Sequence, residues 1–368
     1  MKLQRHGIIA GLALTATLAL AACGSDNTGS DDSAAAAKAP STQCASGSLT
    51  AQGSTAQKNA MDQWIKAYQQ KCKDAKITYD GTGSGAGIQA FTSGTADFAG
   101  SDSALKDGAE QDAANKRCAG GEALDLPMVT GPIAVVYNVK GADNLQFKPT
   151  TLAKIFSGKI TKWNDPAIKA DNPDATLPAT AIQSVHRSDE SGTSDNFTKY
   201  LSRTAPADWK FGNDKSWKAP GGIGQKGSDG VSAKVKSTEG TIAYDEWSYA
   251  TTNGLQMGKV YNGSGQYQEL TADAAGKTIA GARTVGTGDN LKLDIDYATK
   301  EAGAYPIVLV TYEIACSKGN DAKTLALLKD FLTYVSSDNG QASLTEQGYA
   351  PLPKQVQGQV QDAIKGLA

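Results

Sequence analysis

Histidine and cysteine are scarce in this chain of 368 residues, and their scarcity excludes several kinds of site. There are two histidines, His6 and His186, and the five cysteines show no pair at the spacing typical of zinc ligands. The sequence therefore argues against a metal site and against Cys–His catalysis. An excess of positive charge is also lacking, because 36 lysines and arginines face 38 acidic residues. Such a mildly acidic chain is a poor candidate for binding nucleic acid, and any bound anion would need a local site.

The N-terminus has the pattern of a lipoprotein signal peptide. Two basic residues precede an apolar run over 8–22, which at about fifteen residues is too short to span a membrane comfortably. The run ends Leu-Ala-Ala-Cys, which is typical of a bacterial lipobox, so Cys23 is the predicted lipidation site. An ordinary secretory signal with a chance cysteine is the alternative. Removal of residues 1–22 would change the formal charge from −2 to −4. Residues 23–44 are rich in Ser, Asp, Ala and Gly, and this composition predicts a flexible tether.

Four cysteines remain beyond Cys23, namely Cys44, Cys72, Cys118 and Cys316. An even number outside the cytoplasm indicates two disulfides. The sequence allows three pairings. Cys44–Cys72 together with Cys118–Cys316 is favoured, because the first bridge could join the start of the first strand to the end of the helix that follows it.

Strand and helix patterns alternate along the remaining, about 325, residues, which predicts an α/β protein of two domains. The first three predicted strands each end in polar residues. Thr55 follows the first strand, a glycine-rich loop over 81–87 follows the second, and Asp102 follows the third. In a doubly wound sheet such strand ends line the ligand crevice. The patterns at 126–129 and 133–137 predict two further strands, and the region 208–230, rich in Gly, Lys and Trp, is predicted to be looser.

The glycine-rich loop also matches the loose dinucleotide pattern G-x-G-x-x-(G/A) over 81–86. The acid about twenty residues further on is Asp102, which follows the third strand instead of ending the second. No Walker lysine follows the loop either, and the signal peptide predicts a compartment where such cofactors are scarce. A glycine-rich turn before a helix would still let backbone N–H groups and Ser84 approach a small oxyanion closely.

The most informative segment, residues 186–197, places Arg187 shortly before the turn Ser191-Gly192-Thr193 and a predicted helix over 196–201. Free N–H groups and hydroxyls at the start of a helix suit an anion. An arginine adds the bidentate charge that oxyanions prefer. The alternative is a helix-capping turn beside a solvated arginine.

These motifs together resemble those of the substrate-binding proteins of bacterial high-affinity phosphate ABC transporters. The resemblance extends from about residue 48 to about 353 and includes the segments 152–165, 240–244 and 348–353. It implies a two-lobed, periplasmic-binding-protein-like fold of type II. Each lobe would be a mixed sheet flanked by helices, and two hinge crossovers would connect them. The implied bounds are 45–130 with 305–368 for lobe I, and 131–304 for lobe II.

The resemblance also implies a set of phosphate contacts. These residues are Thr55, Ala56, Ser84, Asp102, Arg187, Ser191, Gly192 and Thr193. Ala56 stands where the family often has an aromatic residue; it keeps the backbone N–H but not the side-chain packing. Asp189 is expected to orient the guanidinium of Arg187. No catalytic residue, metal or cofactor is implied.

The expected function is to bind inorganic phosphate and deliver it, by closure of the cleft, to the permease and ATPase subunits of an importer. The protein would be a monomer anchored through Cys23 to the outer face of the cytoplasmic membrane. Asp102 would select phosphate, because phosphate can donate a proton to a carboxylate and sulfate cannot. The alternatives are a binding protein for sulfate or molybdate, and a secreted phosphatase or esterase that uses Ser84 or Ser191. Neither serine lies in a G-x-S-x-G motif, and the histidine of the mature chain, His186, adjoins Arg187.

Overall fold

The computed structural model describes residues 43–368 of the chain. The predicted signal peptide, the predicted lipidation site Cys23 and all but the last two residues of the predicted tether lie outside the described residues. Within 43–368, no helix is long and apolar enough to cross a membrane.

Strands and helices alternate along the described residues, which confirms the predicted α/β class. The strands are β1 (Gly47–Gly53), β2 (Ala75–Gly81), β3 (Phe98–Ser101), β4 (Ala123–Asn138), β5 (Gln146–Phe147), β6 (Gln183–Arg187), β7 (Ile223–Gln225), β8 (Thr241–Glu246), β9 (Gln256–Tyr261), β10 (Tyr267–Gln268), β11 (Arg283–Thr284), β12 (Leu293–Asp294) and β13 (Val308–Cys316). The helices are α1 (Lys58–Lys71), α2 (Ser84–Thr92), α3 (Ala109–Arg117), α4 (Pro149–Phe156), α5 (Pro166–Asp171), α6 (Gly192–Thr204), α7 (Gly227–Ser237), α8 (Trp247–Asn253), α9 (Ala272–Ala280), α10 (Leu325–Val335), α11 (Asp338–Ala342) and α12 (Lys354–Gly366). A short 3₁₀-helix covers Thr345–Gln347.

The first three strands lie side by side in a large mixed sheet with the strand order β2-β1-β3-β13-β4-β8-β6-β7. β1 pairs in parallel with both β2 and β3, and Gly53 at its end is opposite Gly81 and Gly100. Parallel strands end at the same edge of a sheet. The polar residues that follow these three strands therefore lie at one edge, as the sequence predicts.

β4 corrects one prediction, because the sequence indicated two strands over 126–129 and 133–137. The structure has a single strand, which pairs with β13 along its first part and with β8 from Ile133 onward. Gly131 and Pro132 lie between the two predicted strands. Pro132 is opposite Val308, the first residue of β13, so its missing N–H costs the ladder little. The strand can therefore run on from one part of the sheet into the other.

The fold is two-lobed, and its buried apolar side chains form separate clusters, one with the first part of β4 and another with its second part. One cluster includes Trp64 of α1 and Phe331 of α10, and another includes Phe156 of α4 and Phe197 of α6. The predicted lobe boundary at 130/131 falls within β4. The described residues nevertheless belong to one compact unit. The two lobes are thus in contact with each other.

Two disulfides are present, and their pairing is the one that the sequence favoured. Cys44 lies shortly before β1 and is bonded to Cys72 at the end of α1. Cys118 is bonded to Cys316, which joins the end of α3 to the end of β13. Bridges of this kind stabilise a fold mainly by restricting the unfolded chain.

Two segments predicted as loops contain helix. α2 begins at Ser84, so the second half of the predicted glycine loop is helical. Glycine disfavours helix, but a Cβ at Gly87 would lie 2.5 Å from the Cα of Gly53, and the close packing of α2 on β1 selects glycine there. The region 208–230 likewise contains β7 and the start of α7.

Candidate anion-binding site

Several helices begin at the cleft between the two parts of the sheet. The residues at these helix starts are Thr55, Ser84, Ser191 and Ser228. Hydrogen bonds connect them in pairs across the cleft. Gly192 donates its N–H to Ser84 Oγ at 3.1 Å, and Ser228 donates its N–H to Thr55 Oγ1 at 3.2 Å. Helix starts present free N–H groups and the positive end of the helix dipole, so the cleft is suited to a negative charge.

Donors without a protein acceptor gather at these helix starts. In the described part of the chain, the backbone N–H groups of Thr55, Ala56, Ser84 and Thr193 have no protein acceptor. The hydroxyl of Thr193 is buried and has no partner among the described residues. Buried polar groups are normally satisfied, because an unpaired one costs free energy. A bound anion would supply the missing acceptors.

Arg187 ends β6 and is 2% exposed. Among the described residues, the guanidinium of Arg187 donates hydrogen bonds to Asp189 alone. These run from Nε to Oδ1 at 2.8 Å and from Nη2 to Oδ2 at 2.5 Å. Asp189 also accepts the Gly227 N–H at 3.1 Å, and the hydroxyl of Tyr244 accepts the Arg187 N–H at 3.1 Å. Burial opposes both charges, but the mutual hydrogen bonds outweigh it: the pKa of Arg187 is raised and that of Asp189 is lowered. Arg187 is thus a fixed cation, and its Nη1 makes no hydrogen bond to a described residue.

Asp102 follows β3 directly and is 3% exposed. Its Oδ1 accepts hydrogen bonds from the hydroxyls of Ser54 and Thr311, the latter at 2.9 Å. Its Oδ2 is 3.4 Å from Ser84 Oγ. Burial raises the pKa of Asp102, while the hydroxyls of Ser54 and Thr311 and the charge of Arg187 act in the opposite direction. The site therefore combines many donors with the buried carboxylate of Asp102, beside the carboxylate of Asp189 that Arg187 engages.

The two sides of the cleft touch closely around Gly192. A Cβ at this position would lie 2.5 Å from the Cβ of Asp102 and 2.8 Å from Ser84 Oγ. Asn196 Nδ2 donates to the carbonyl of Asp102 at 2.7 Å, one turn further along α6. Ser103 Oγ donates to Asp195 at 2.6 Å. The contact as a whole requires glycine at 192.

Ala56 is 1% exposed, although it lacks the aromatic side chain that the family often has. Two tyrosines hold its loop instead. The hydroxyl of Tyr249 donates to the Thr55 carbonyl at 3.0 Å, and the hydroxyl of Tyr349 donates to the Ala56 carbonyl at 2.6 Å. The backbone N–H groups at the start of α1 are therefore fixed without an aromatic residue at 56.

The structure brings all eight predicted contact residues, and Asp189, to this cleft. Sequence reasoning missed three further residues, Ser54, Ser228 and Thr311. For Ser228 a signal existed, because Gly-Ser-Asp-Gly over 227–230 precedes apolar residues at helical spacing and is typical of a helix start. Thr311 gave none, since it lies inside a buried strand and reaches the site only through the pairing of β13 with its neighbours.

Comparison with known proteins agrees with this architecture. Residues 38–339 match the PBP superfamily domain. The chain is 43% identical to "Phosphate-binding protein PstS 3" of Mycobacterium tuberculosis and to its counterpart in Mycobacterium leprae, in each case over 100% of both chains. The solved structure of a phosphate-binding protein from Stenotrophomonas maltophilia superposes with a TM-score of 0.70 at 20% identity, covering 86% of this chain and 94% of that one. The chain belongs to the PBP superfamily and, within it, to the family of the PstS phosphate-binding proteins.

Proposed function

We propose that this protein binds inorganic phosphate in the cleft and delivers it to an ABC importer. Arg187, the start of α6 and the free N–H groups at residues 55, 56 and 84 supply charge and donors. The observation that carries the proposal is the buried carboxylate of Asp102 among these donors. Near neutral pH phosphate retains a proton, so it can donate a hydrogen bond to Asp102.

Other oxyanions are disfavoured by the same carboxylate. Sulfate has no proton at neutral pH, so one of its oxygens would face Asp102 without a hydrogen bond. An unpaired buried acceptor of this kind costs about 1–3 kcal/mol, and more when it is charged. Molybdate is disfavoured for the same reason.

We infer that the protein is a binding protein and not an enzyme. His186 lies next to the site, but its Nδ1 is 2.9 Å from the carbonyl of Arg187 and its ring stacks on Trp217. The hydroxyl of Ser84 contacts Asp102 and Gly192, and that of Ser191 caps α6 by accepting the Ser194 N–H. Within residues 43–368, neither serine has a histidine to accept its proton, which a secreted phosphatase or esterase of the usual kind would need.

Closure of the cleft is the proposed mechanism of delivery. Lobe I would comprise residues 45–130 and 305–368, and lobe II residues 131–304. Phosphate would contact both lobes, so it would bind the closed form more tightly and shift the hinge toward closure. The permease and ATPase subunits of the importer would then receive it. The protein would be a monomer, and its lipobox supports anchoring through Cys23 on the outer face of the cytoplasmic membrane.

Calorimetric titration tests the proposal. The purified protein is unfolded and refolded to remove bound ligand, then titrated with phosphate, sulfate and molybdate, and incubated with a chromogenic phosphate ester. Tight binding of phosphate alone, without turnover of the ester, is expected. Tighter binding of sulfate or molybdate, or release of the chromophore, would contradict the proposal.

A further inference from the structure

Two hydroxyl groups converge on one oxygen of Asp102. Ser54 Oγ and Thr311 Oγ1 both donate to Oδ1, and both side chains are fully buried. Ser54 precedes α1 and Thr311 lies in β13, so both donors lie on the same side of the cleft as Asp102. They contact Oδ1, whereas Oδ2 accepts a longer hydrogen bond, 3.4 Å, from the hydroxyl of Ser84.

We propose that Ser54 and Thr311 are positioning residues that set the selectivity of the site by holding Asp102 as an ionised acceptor. The proposal rests on the proposed function, phosphate binding. Hydrogen bonds to a charged carboxylate favour its ionised form. With Oδ1 occupied by two donors, the carboxyl proton is disfavoured there and Oδ2 is left as an acceptor. Oδ2 can then accept a hydrogen bond from phosphate, but it carries no proton with which to donate one to sulfate.

This positioning matters because the surroundings of Asp102 otherwise favour its protonation. Burial raises its pKa, and the hydroxyls of Ser54 and Thr311 oppose that rise. The charge of Arg187 also lowers the pKa of Asp102. Tyr79, Glu246 and Glu313 are acidic groups close enough to Asp102 to interact with its charge. The titratable and charged groups that interact with Asp102 are Tyr79, Arg187, Glu246 and Glu313. Lys199, Arg203, Asp294, Tyr297 and Tyr312 line one cavity together with Asp102. Protonated Asp102 would be a donor, and sulfate would accept from it.

The donors on the opposite side of the cleft do not replace these hydroxyls. Asn196 contacts the carbonyl of Asp102, and Gly192 contacts Ser84. Neither touches the carboxyl group. The hydrogen bonds to the carboxyl oxygens of Asp102 therefore come from its own side of the cleft, whereas Arg187 acts on it from the opposite side through its charge.

The test compares Thr311→Val with a matched control, Thr130→Val. Both threonines are fully buried in paired strands, β13 and β4, but the hydroxyl of Thr130 has no partner among the described residues. Thr311→Ser keeps the hydroxyl, and Ser54→Ala removes the other donor in case Thr311→Val does not fold. Phosphate and sulfate affinities are measured by calorimetry at pH 5.5 and pH 8 on ligand-free protein.

Thr311→Val and Ser54→Ala should each gain sulfate binding, at least about tenfold stronger at pH 5.5 than at pH 8, because a protonated Asp102 can donate to sulfate. Wild type, Thr130→Val and Thr311→Ser should reject sulfate at both pH values. If both hydroxyl-deletion variants reject sulfate as wild type does, or only lose phosphate affinity equally at both pH values, the positioning role is wrong. If wild type does not bind phosphate, it is the proposed function that fails.

Discussion

The backbone N–H of Gly192 donates to the hydroxyl of Ser84 at 3.1 Å, and this hydrogen bond joins two helix starts across the cleft. The approach is possible because residue 192 has no side chain, since a Cβ there would lie 2.5 Å from the Cβ of Asp102. The atom in the way is the Cβ of Asp102, which is attached to the backbone and cannot move aside as the end of a flexible side chain could. A substitution at 192 should therefore act on closure.

Gly192→Ala should weaken phosphate binding by about 1–3 kcal/mol, roughly 5- to 150-fold, which is the usual cost of overpacking a closely packed site. Calorimetry gives the affinity, and thermal unfolding without ligand shows whether the fold is intact. Gly358→Ala is the matched control, because it also lies in a helix but a Cβ there meets nothing within 4 Å. Equal affinities of the two variants would show that close contact at 192 is not needed for binding.

Arg187→Ala should weaken phosphate by about 1.5–3 kcal/mol or more, the range for hydrogen bonds to charged groups. The substitution also leaves Asp189 near the ligand without its cation, which adds repulsion. Arg283→Ala removes an arginine that is 78% exposed in its side chain and serves as the control. An unchanged affinity of Arg187→Ala in calorimetry would remove Arg187 from the site.

The sequence predicted the polar edge of the sheet because each of its residues follows a strand directly. Thr55, Ser84 and Asp102 needed only the alternation of strands and helices, whereas Arg187 beside a helix start left a capping turn as the alternative until the other motifs were considered. Thr311 could not be found in this way. Its role depends on β13 pairing antiparallel with β3, a contact between strands more than 200 positions apart. The unbroken course of β4 was missed for a related reason, since Pro132 is tolerated only because of where β13 begins.

Asp102→Asn should let sulfate compete with phosphate. An amide at this position can donate to a sulfate oxygen, so the penalty that excludes sulfate is removed. Sulfate affinity should rise at least about tenfold, equivalent to about 1.4 kcal/mol. Asp97→Asn, just before the other end of β3, removes a charge next to the same strand and should leave selectivity unchanged. A variant that still ignores sulfate in calorimetry would refute the selector role.

Cys23→Ser tests the lipobox. A serine cannot form the thioether to the lipid, so the full-length chain should move from the membrane fraction to the soluble extracytoplasmic fraction of an expressing bacterium. Ser25→Ala, two residues away, should leave the protein in the membrane fraction. If wild type is found in the soluble fraction, as Cys23→Ser is, an ordinary secretory signal explains the N-terminus better.

Asp245 gives the stability of the ligand-free protein a defined dependence on pH. It is 1% exposed on β8 and accepts a hydrogen bond from Ser232, and burial raises its pKa from 3.8 to about 7. Between pH 4 and pH 7 the folded protein therefore keeps a proton that the unfolded chain has released. Below about pH 4 this group contributes its full stabilisation. As pH rises from there through about 7, the free energy of unfolding falls by up to about 1.4 kcal/mol per pH unit.

Asp245→Asn is neutral at every pH and should flatten this part of the profile. Urea unfolding without phosphate, at pH 5, 6, 7 and 8, gives the free energy of unfolding of each protein. Asp125 has a similarly raised pKa of about 7, so wild type and variant both keep some slope, and the difference between them isolates Asp245. Asp273→Asn, whose side chain is 82% exposed, should run parallel to wild type. If Asp245→Asn also runs parallel to wild type, Asp245 is ionised in the folded protein throughout this range, and the buried partners Ser232 and Arg187 stabilise its charge more than burial opposes it.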